Sequence, residues 1–137
     1  MTKRIIKTDN APTAIGPYSQ AVLHNSKYTL ELSGQIGINP QTGKMIEGEL
    51  ELQTEQILNN INAILESVGW TFENIVKTRI YLTDMSQYAK VNGIYAERFN
   101  KDPPARAAFA VKELPANALI EIECVAGGDV VSKNHSI

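Results

Sequence analysis

An arginine and a glutamate in strand-like surroundings are the residues of this chain best suited to chemistry. Arg106 follows Asp102-Pro103-Pro104-Ala105. The two prolines stiffen its approach, and a planar guanidinium can bind a carboxylate or phosphate through two parallel hydrogen bonds. Taken alone, such an arginine is more often one half of a surface ion pair. Glu121, in LIEIEC, can orient a water molecule where a neighbouring arginine keeps it ionised, although a strand glutamate is more often simply exposed. Asn92 falls inside an apolar helical stripe, where its amide needs partners; a structural amide is the commoner outcome. Tyr18, in NAPTAIGPYSQAV, offers a donor and an aromatic wall on a loop. Ser33 and Gly34, in SGQIGINPQTG, sit where backbone can come close to a ligand, and turn and hairpin chemistry accounts for them equally well.

Several chemistries are disfavoured. His24 and His135 show no metal-ligand spacing with each other or with Cys124, so no zinc centre is expected. Neither GxSxG nor GxxxxGK[ST] occurs, and no GxGxxG follows a strand. The single cysteine precludes an internal disulfide and suggests a reducing, cytoplasmic location. It falls with Ile120 and Ile122 on the apolar side of its strand, which marks it as a core residue rather than a nucleophile. A net charge of −2 gives no cationic surplus for nucleic acid, and no run approaches the ~18 apolar residues of a membrane span.

These residues need a scaffold, and 137 residues suffice for one domain with its own core. A single domain is expected over 1–128, followed by a polar tail over 129–137 that reads as a frayed extension or as a segment packed near a neighbouring subunit. Leu50, Ile57, Leu58, Ile61, Ile64, Leu65 and Val68 recur at 100° per residue and predict a helix from Leu50 to Val68, closed by Gly69. A second helix is predicted from Met85 to Phe99, entered through Asp84 with Gln87 three residues on, with a stripe of Tyr88, Val91, Asn92, Tyr95 and Phe99. Alternation predicts strands at Arg4–Lys7, Ala21–His24, Tyr28–Ser33, Ile75–Thr83, Ala105–Val111 and Leu119–Ala126. Six strands and two helices in this order fit an α+β layer, a mixed six-stranded sheet with both helices on one face.

The alternation also sorts the faces. Lys77, Arg79 and Tyr81 oppose the apolar set of their strand, as Glu121 and Glu123 do of theirs, and Arg106 is placed with Glu121 on the helix-free face. A solvated sheet surface and an oligomer interface both fit that face.

In this order, the segments NAPTAIGPYSQAV, SGQIGINPQTG, IVKTRIYLTDM, VNGIYAERF, PPAR and LPANALIEIECVA closely resemble the Rid/YjgF family of reactive intermediate deaminases, over about Thr8 to Ala126. The resemblance implies a chorismate-mutase-like fold assembled as a homotrimer with sites between subunits. It implies hydrolysis of 2-iminobutanoate or 2-iminopropanoate, released by pyridoxal-phosphate enzymes such as threonine dehydratase, to the 2-keto acid and ammonia. No metal or cofactor is implied. Arg106 matches the family's carboxylate anchor and Glu121 the residue that holds the attacking water. Tyr18, Ser33, Gly34, Asn92 and the backbone at Ala108 match the remaining pocket positions.

Ala108 stands where many members have a cysteine, so any role for that thiol is absent. SGQIGI replaces the commoner SGQIP, and the tail GGDVVSKNHSI runs past the usual end. Two other functions compete: a non-catalytic module that binds 2-keto acids, and an endoribonuclease or translation inhibitor.

Overall fold

The computed structural model describes residues 1–99 and 101–137. Strands β1 (Thr2–Ile6), β2 (Ala21–Asn25), β3 (Tyr28–Gln35), β4 (Ile38–Asn39) and β5 (Lys44–Met45) precede helix α1 (Leu50–Ser67). Strand β6 (Ile75–Leu82), helix α2 (Tyr88–Arg98), β7 (Ala105–Ala110) and β8 (Ile120–Gly128) follow. The main sheet runs β3-β8-β6-β7, with β8 antiparallel to both neighbours and β6 parallel to β7. A parallel pair needs a crossover, which α2 supplies.

The expected α+β class with a mixed sheet and two helices holds, but the sheet has four strands rather than six. β1 and β2 form a separate antiparallel ribbon, and β4 with β5 makes a second small one. The first ribbon is tied to the β7 edge through Ser19, whose amide donates to the Pro104 carbonyl and whose hydroxyl donates to that of Pro103.

One apolar cluster lies between the sheet and the helices. Ile75, Ile80, Leu82, Ile120, Ile122, Cys124 and Ala126 meet Ile57, Leu58, Ile61 and Leu65 of α1, with Val91 and Tyr95 of α2. The stripe predicted for α1 is thus the buried face, and Gly69 at φ +82° follows its end. The second helix begins later than its pattern suggests. Met85–Gln87 is a 3-10 turn, and Asp84 caps it by accepting from the Ser86 amide at 2.9 Å. The Gln87 amide instead reaches the Asp84 carbonyl.

The first part of the tail, through Ser132, is docked rather than frayed, while residues 133–137 are exposed. The Trp70 indole donates to the Val130 carbonyl at 2.7 Å, and the Ser132 amide donates to the Val68 carbonyl at 3.1 Å. Among the described residues, no helix is long and apolar enough to cross a membrane.

Candidate active site

Arg106 is positioned by register. It pairs with Thr78 of β6, and Thr78 is fully buried beneath the helices. Paired residues of adjacent strands share a face, so the Arg106 side chain emerges on the helix side of the sheet. Glu121 pairs with Tyr81, on the opposite side from Ile120 and Ile122. The expectation that Arg106 and Glu121 share the helix-free face is therefore corrected: the sheet separates them. The physical reason lies in β7, where alanines occupy both faces and leave little amphipathic signal. Pairing with β6 decides the facing.

On the helix side, Arg106 meets Tyr88, Asn92 and Tyr95, spaced four and three residues apart along α2 so that they line one face. Arg106 Nη1 donates to Asn92 Oδ1 at 2.9 Å and Nη2 to Tyr88 Oη at 2.6 Å. Asn92 thus finds its amide partner in the arginine. The guanidinium carbon lies 5.3, 5.4 and 5.1 Å from the ring centroids of Tyr18, Tyr88 and Tyr95, within cation–π range. The Tyr95 hydroxyl shares a 2.8 Å hydrogen bond with Thr78, and burial raises its pKa well above the usual phenol value.

The loop before β2 closes another side. Tyr18 Oη accepts from the Ile15 amide at 3.1 Å, which holds the loop over the guanidinium. Between them Gly16 has φ +125°, a conformation side-chain-bearing residues rarely adopt, and a Cβ there would lie 3.6 Å from Arg106 Nη2.

No carboxylate pairs with Arg106 among the described residues. A guanidinium has five N–H donors, and two are used on Asn92 and Tyr88. The remaining donors and an uncompensated positive charge suit a planar anion. The surface ion pair that a lone arginine would more often form is not what the structure shows. Ala108, two residues along, faces the same side opposite Ile80 and packs against the core.

A second group forms on the other face. The β3–β8 register shifts between Leu32 and Gln35, a bulge that carries Ser33 and Gly34. A Cβ on Gly34 would lie 2.3 Å from Glu121 Oε2, so only glycine leaves the carboxylate where it is. Ser33 and Gly34 are exposed, and Glu121 is half-buried. Nearby, the Tyr81 phenol donates to the Glu123 carboxylate, with Arg79 3.7 Å from the same oxygen. That bond, foremost, raises the Tyr81 pKa. Tyr81 also packs edge-on against Phe109 at 5.1 Å.

The predicted residues therefore fall into two sets, Tyr18, Asn92, Arg106 and Ala108 on one side and Ser33, Gly34 and Glu121 on the other. The residue pattern alone puts Tyr88 and Tyr95 in the core stripe of α2 and not in the site. Their signal was that Tyr88, Asn92 and Tyr95 put three polar tips along one helix face, which requires a polar partner beneath them. Cys124 is buried, and burial pushes its thiol up to about 12. Neither histidine joins either set; His24 Nδ1 is 3.0 Å from the Ser26 hydroxyl. Among the described residues, no three His, Cys, Asp or Glu side chains gather as metal ligands.

Two cavities, of about 380 and about 360 Å³, lie elsewhere and touch neither Arg106 nor Glu121. The first contains Arg98, but that guanidinium is already engaged by Glu55 and Asn59. Unspent donors at Arg106 mark a site more strongly than concavity does.

Comparison with known proteins agrees with the motifs. The family model described as endoribonuclease L-PSP matches residues 8–127. A RutC family protein of Pyrococcus horikoshii is 47% identical over 124 residues, covering 90% of this chain and 97% of that protein. The human protein named 2-iminobutanoate/2-iminopropanoate deaminase is 44% identical over 126 residues, covering 92% of this chain and 90% of its own length. A solved Rid-family structure from Yersinia pestis superposes with a TM-score of 0.71 at 49% identity, covering 92% of this chain and 99% of that one. The chain belongs to the endoribonuclease L-PSP family, the Rid/YjgF/RutC family its motifs resemble.

Proposed function

We propose that the protein is a hydrolytic deaminase that converts 2-imino and enamino acids, such as 2-iminobutanoate and 2-iminopropanoate, to 2-keto acids and ammonia. The observation that carries this reading is the Arg106 guanidinium, free of any acidic partner among the described residues and ringed by Tyr18, Tyr88, Tyr95 and Asn92. In this reading, Arg106 holds the substrate carboxylate and Glu121 orients water toward the imine carbon. Water adds to that carbon and gives one proton to nitrogen, forming the carbinolamine; its hydroxyl proton then also passes to nitrogen, and the C–N bond breaks as C=O forms and ammonia leaves. An imine carbon is already electrophilic, so positioning accounts for most of the gain. The names of relatives, the human one among them, support the same chemistry.

Arg106 and Glu121 project from opposite faces of one sheet. They can serve one substrate only if Glu121 comes from a second copy. The proposal therefore includes a homotrimer, with the open sheet face against a neighbour and Tyr18, Asn92 and Arg106 of one chain meeting Ser33, Gly34 and Glu121 of another. The expected setting is the cytosol, alongside pyridoxal-phosphate enzymes such as threonine dehydratase.

The test is loss of 2-iminobutanoate generated by threonine dehydratase. The wild type should accelerate it, and Arg106→Ala and Glu121→Ala should each abolish the effect. Mixing the two inactive variants under conditions that exchange subunits should restore part of the activity, because some clefts regain both residues. No acceleration by the wild type rejects the deaminase, and no recovery on mixing rejects the shared site.

A further inference from the structure

Tyr88 lies outside the six resembling segments, yet it engages one side of the Arg106 guanidinium. A guanidinium only donates, so in the 2.6 Å contact the phenol oxygen accepts and its own hydrogen points elsewhere. Among the described residues, no acceptor takes that hydrogen. Asn92 follows the same logic: with Oδ1 turned to Arg106, its Nδ2 is left as a donor, and both it and Arg106 Nη2 border Gly16. Beside Arg106, the Tyr88 hydroxyl and Asn92 Nδ2 are thus two donors with no acceptor among the described residues.

A carboxylate held by two parallel bonds uses two of the guanidinium donors. The phenol hydrogen and the Asn92 amide remain for a further acceptor oxygen close to the carboxylate. A 2-keto acid carries such an oxygen on carbon 2, as does the carbinolamine that precedes it; a plain carboxylic acid does not.

We infer that Tyr88 is a specificity-determining residue, its phenol donating to the oxygen on carbon 2 of an acid whose carboxylate Arg106 holds. The inference rests on the carboxylate-anchoring role of Arg106 proposed above. Phenylalanine at this position would keep the aromatic face against the guanidinium and lose the donor.

The experiment is a titration of the full chain with 2-ketobutyrate and with butyrate, followed by NMR, for wild type, Tyr88→Phe and Arg106→Ala. The wild type should prefer 2-ketobutyrate. Tyr88→Phe should lower the ratio of the two affinities roughly three- to tenfold, the value of one hydrogen bond, with its melting temperature retained. An unchanged ratio overturns the inference, even if both affinities fall together, because Tyr88 would then merely hold the guanidinium. Failure of the wild type to bind either acid, or wild-type binding by Arg106→Ala, defeats the anchoring role itself and is distinguishable from that outcome.

Discussion

Asn92 Oδ1 accepts a hydrogen bond from Arg106 Nη1 at 2.9 Å, joining the middle of α2 to the edge strand that follows it. The contact resolves two features that are separately ambiguous: an amide within an apolar stripe and a cation with no acidic partner among the described residues.

Asn92→Ala should lower kcat/KM for 2-iminobutanoate by about tenfold or more, because a hydrogen bond to a charged group contributes ~1.5–3 kcal/mol. Steady-state kinetics beside a melting curve will separate this from unfolding. A variant with wild-type kcat/KM would show that Arg106 is held well enough by its tyrosines.

Gly34→Ala places a methyl where Glu121 Oε2 now lies, at 2.3 Å. The displaced group is the end of a flexible side chain, so the fold should survive with a loss of about 1 kcal/mol or less. Activity should nevertheless drop toward that of Glu121→Ala. The double variant should be no worse than Glu121→Ala alone, a non-additivity read from the four rate constants.

Thr78 and Tyr95 share a buried 2.8 Å hydrogen bond. Tyr95→Phe leaves the Thr78 hydroxyl without this partner, and Thr78→Val does the same to the phenol. Each should cost about 1–3 kcal/mol in urea unfolding, with coupling between them in the double variant. Strict additivity would mean that the pair contributes nothing of its own.

Stability should fall at high pH. Burial raises the Cys124 thiol from 9.0 to about 12 in the folded chain, so the unfolded chain gives up that proton first. Its contribution is complete below pH 9.0 and is lost progressively as pH rises toward about 12. Tyr95, raised in the same sense, adds to the decline. The urea midpoint followed from pH 8 upward should show the loss, and Cys124→Ala should flatten it in part. A thiol reagent at pH 8 should leave folded Cys124 unmodified; rapid labelling without unfolding would contradict its burial.

Much of the fold is legible in the residues because local periodicity reports burial directly. The stripe from Leu50 to Val68 needs only an apolar surface beneath it, and Ile120, Ile122 and Cys124 declare their side by alternation with Glu121 and Glu123. The later start of α2 and the docked tail were less legible. The first depends on a 3-10 turn that the Asp84 cap allows, and the second on Trp70 finding the Val130 carbonyl sixty residues away.

For the site, the sequence by itself determined the cast: an arginine after two prolines, a glutamate in an alternating strand, a glycine in a strand-end loop, an asparagine in a helical stripe. Their ordered motifs were enough to point to the family. Only the tertiary structure decided that Arg106 faces α2 and Glu121 faces away. A strand written Ala-Arg-Ala-Ala-Phe-Ala has small apolar residues on both sides and no strong preference. Its facing follows from long-range pairing with β6, where a shift of one residue would invert every side chain. That facing gives Arg106 its three aromatic rings and Tyr88 its place in the site, neither of which spacing along the chain could assign.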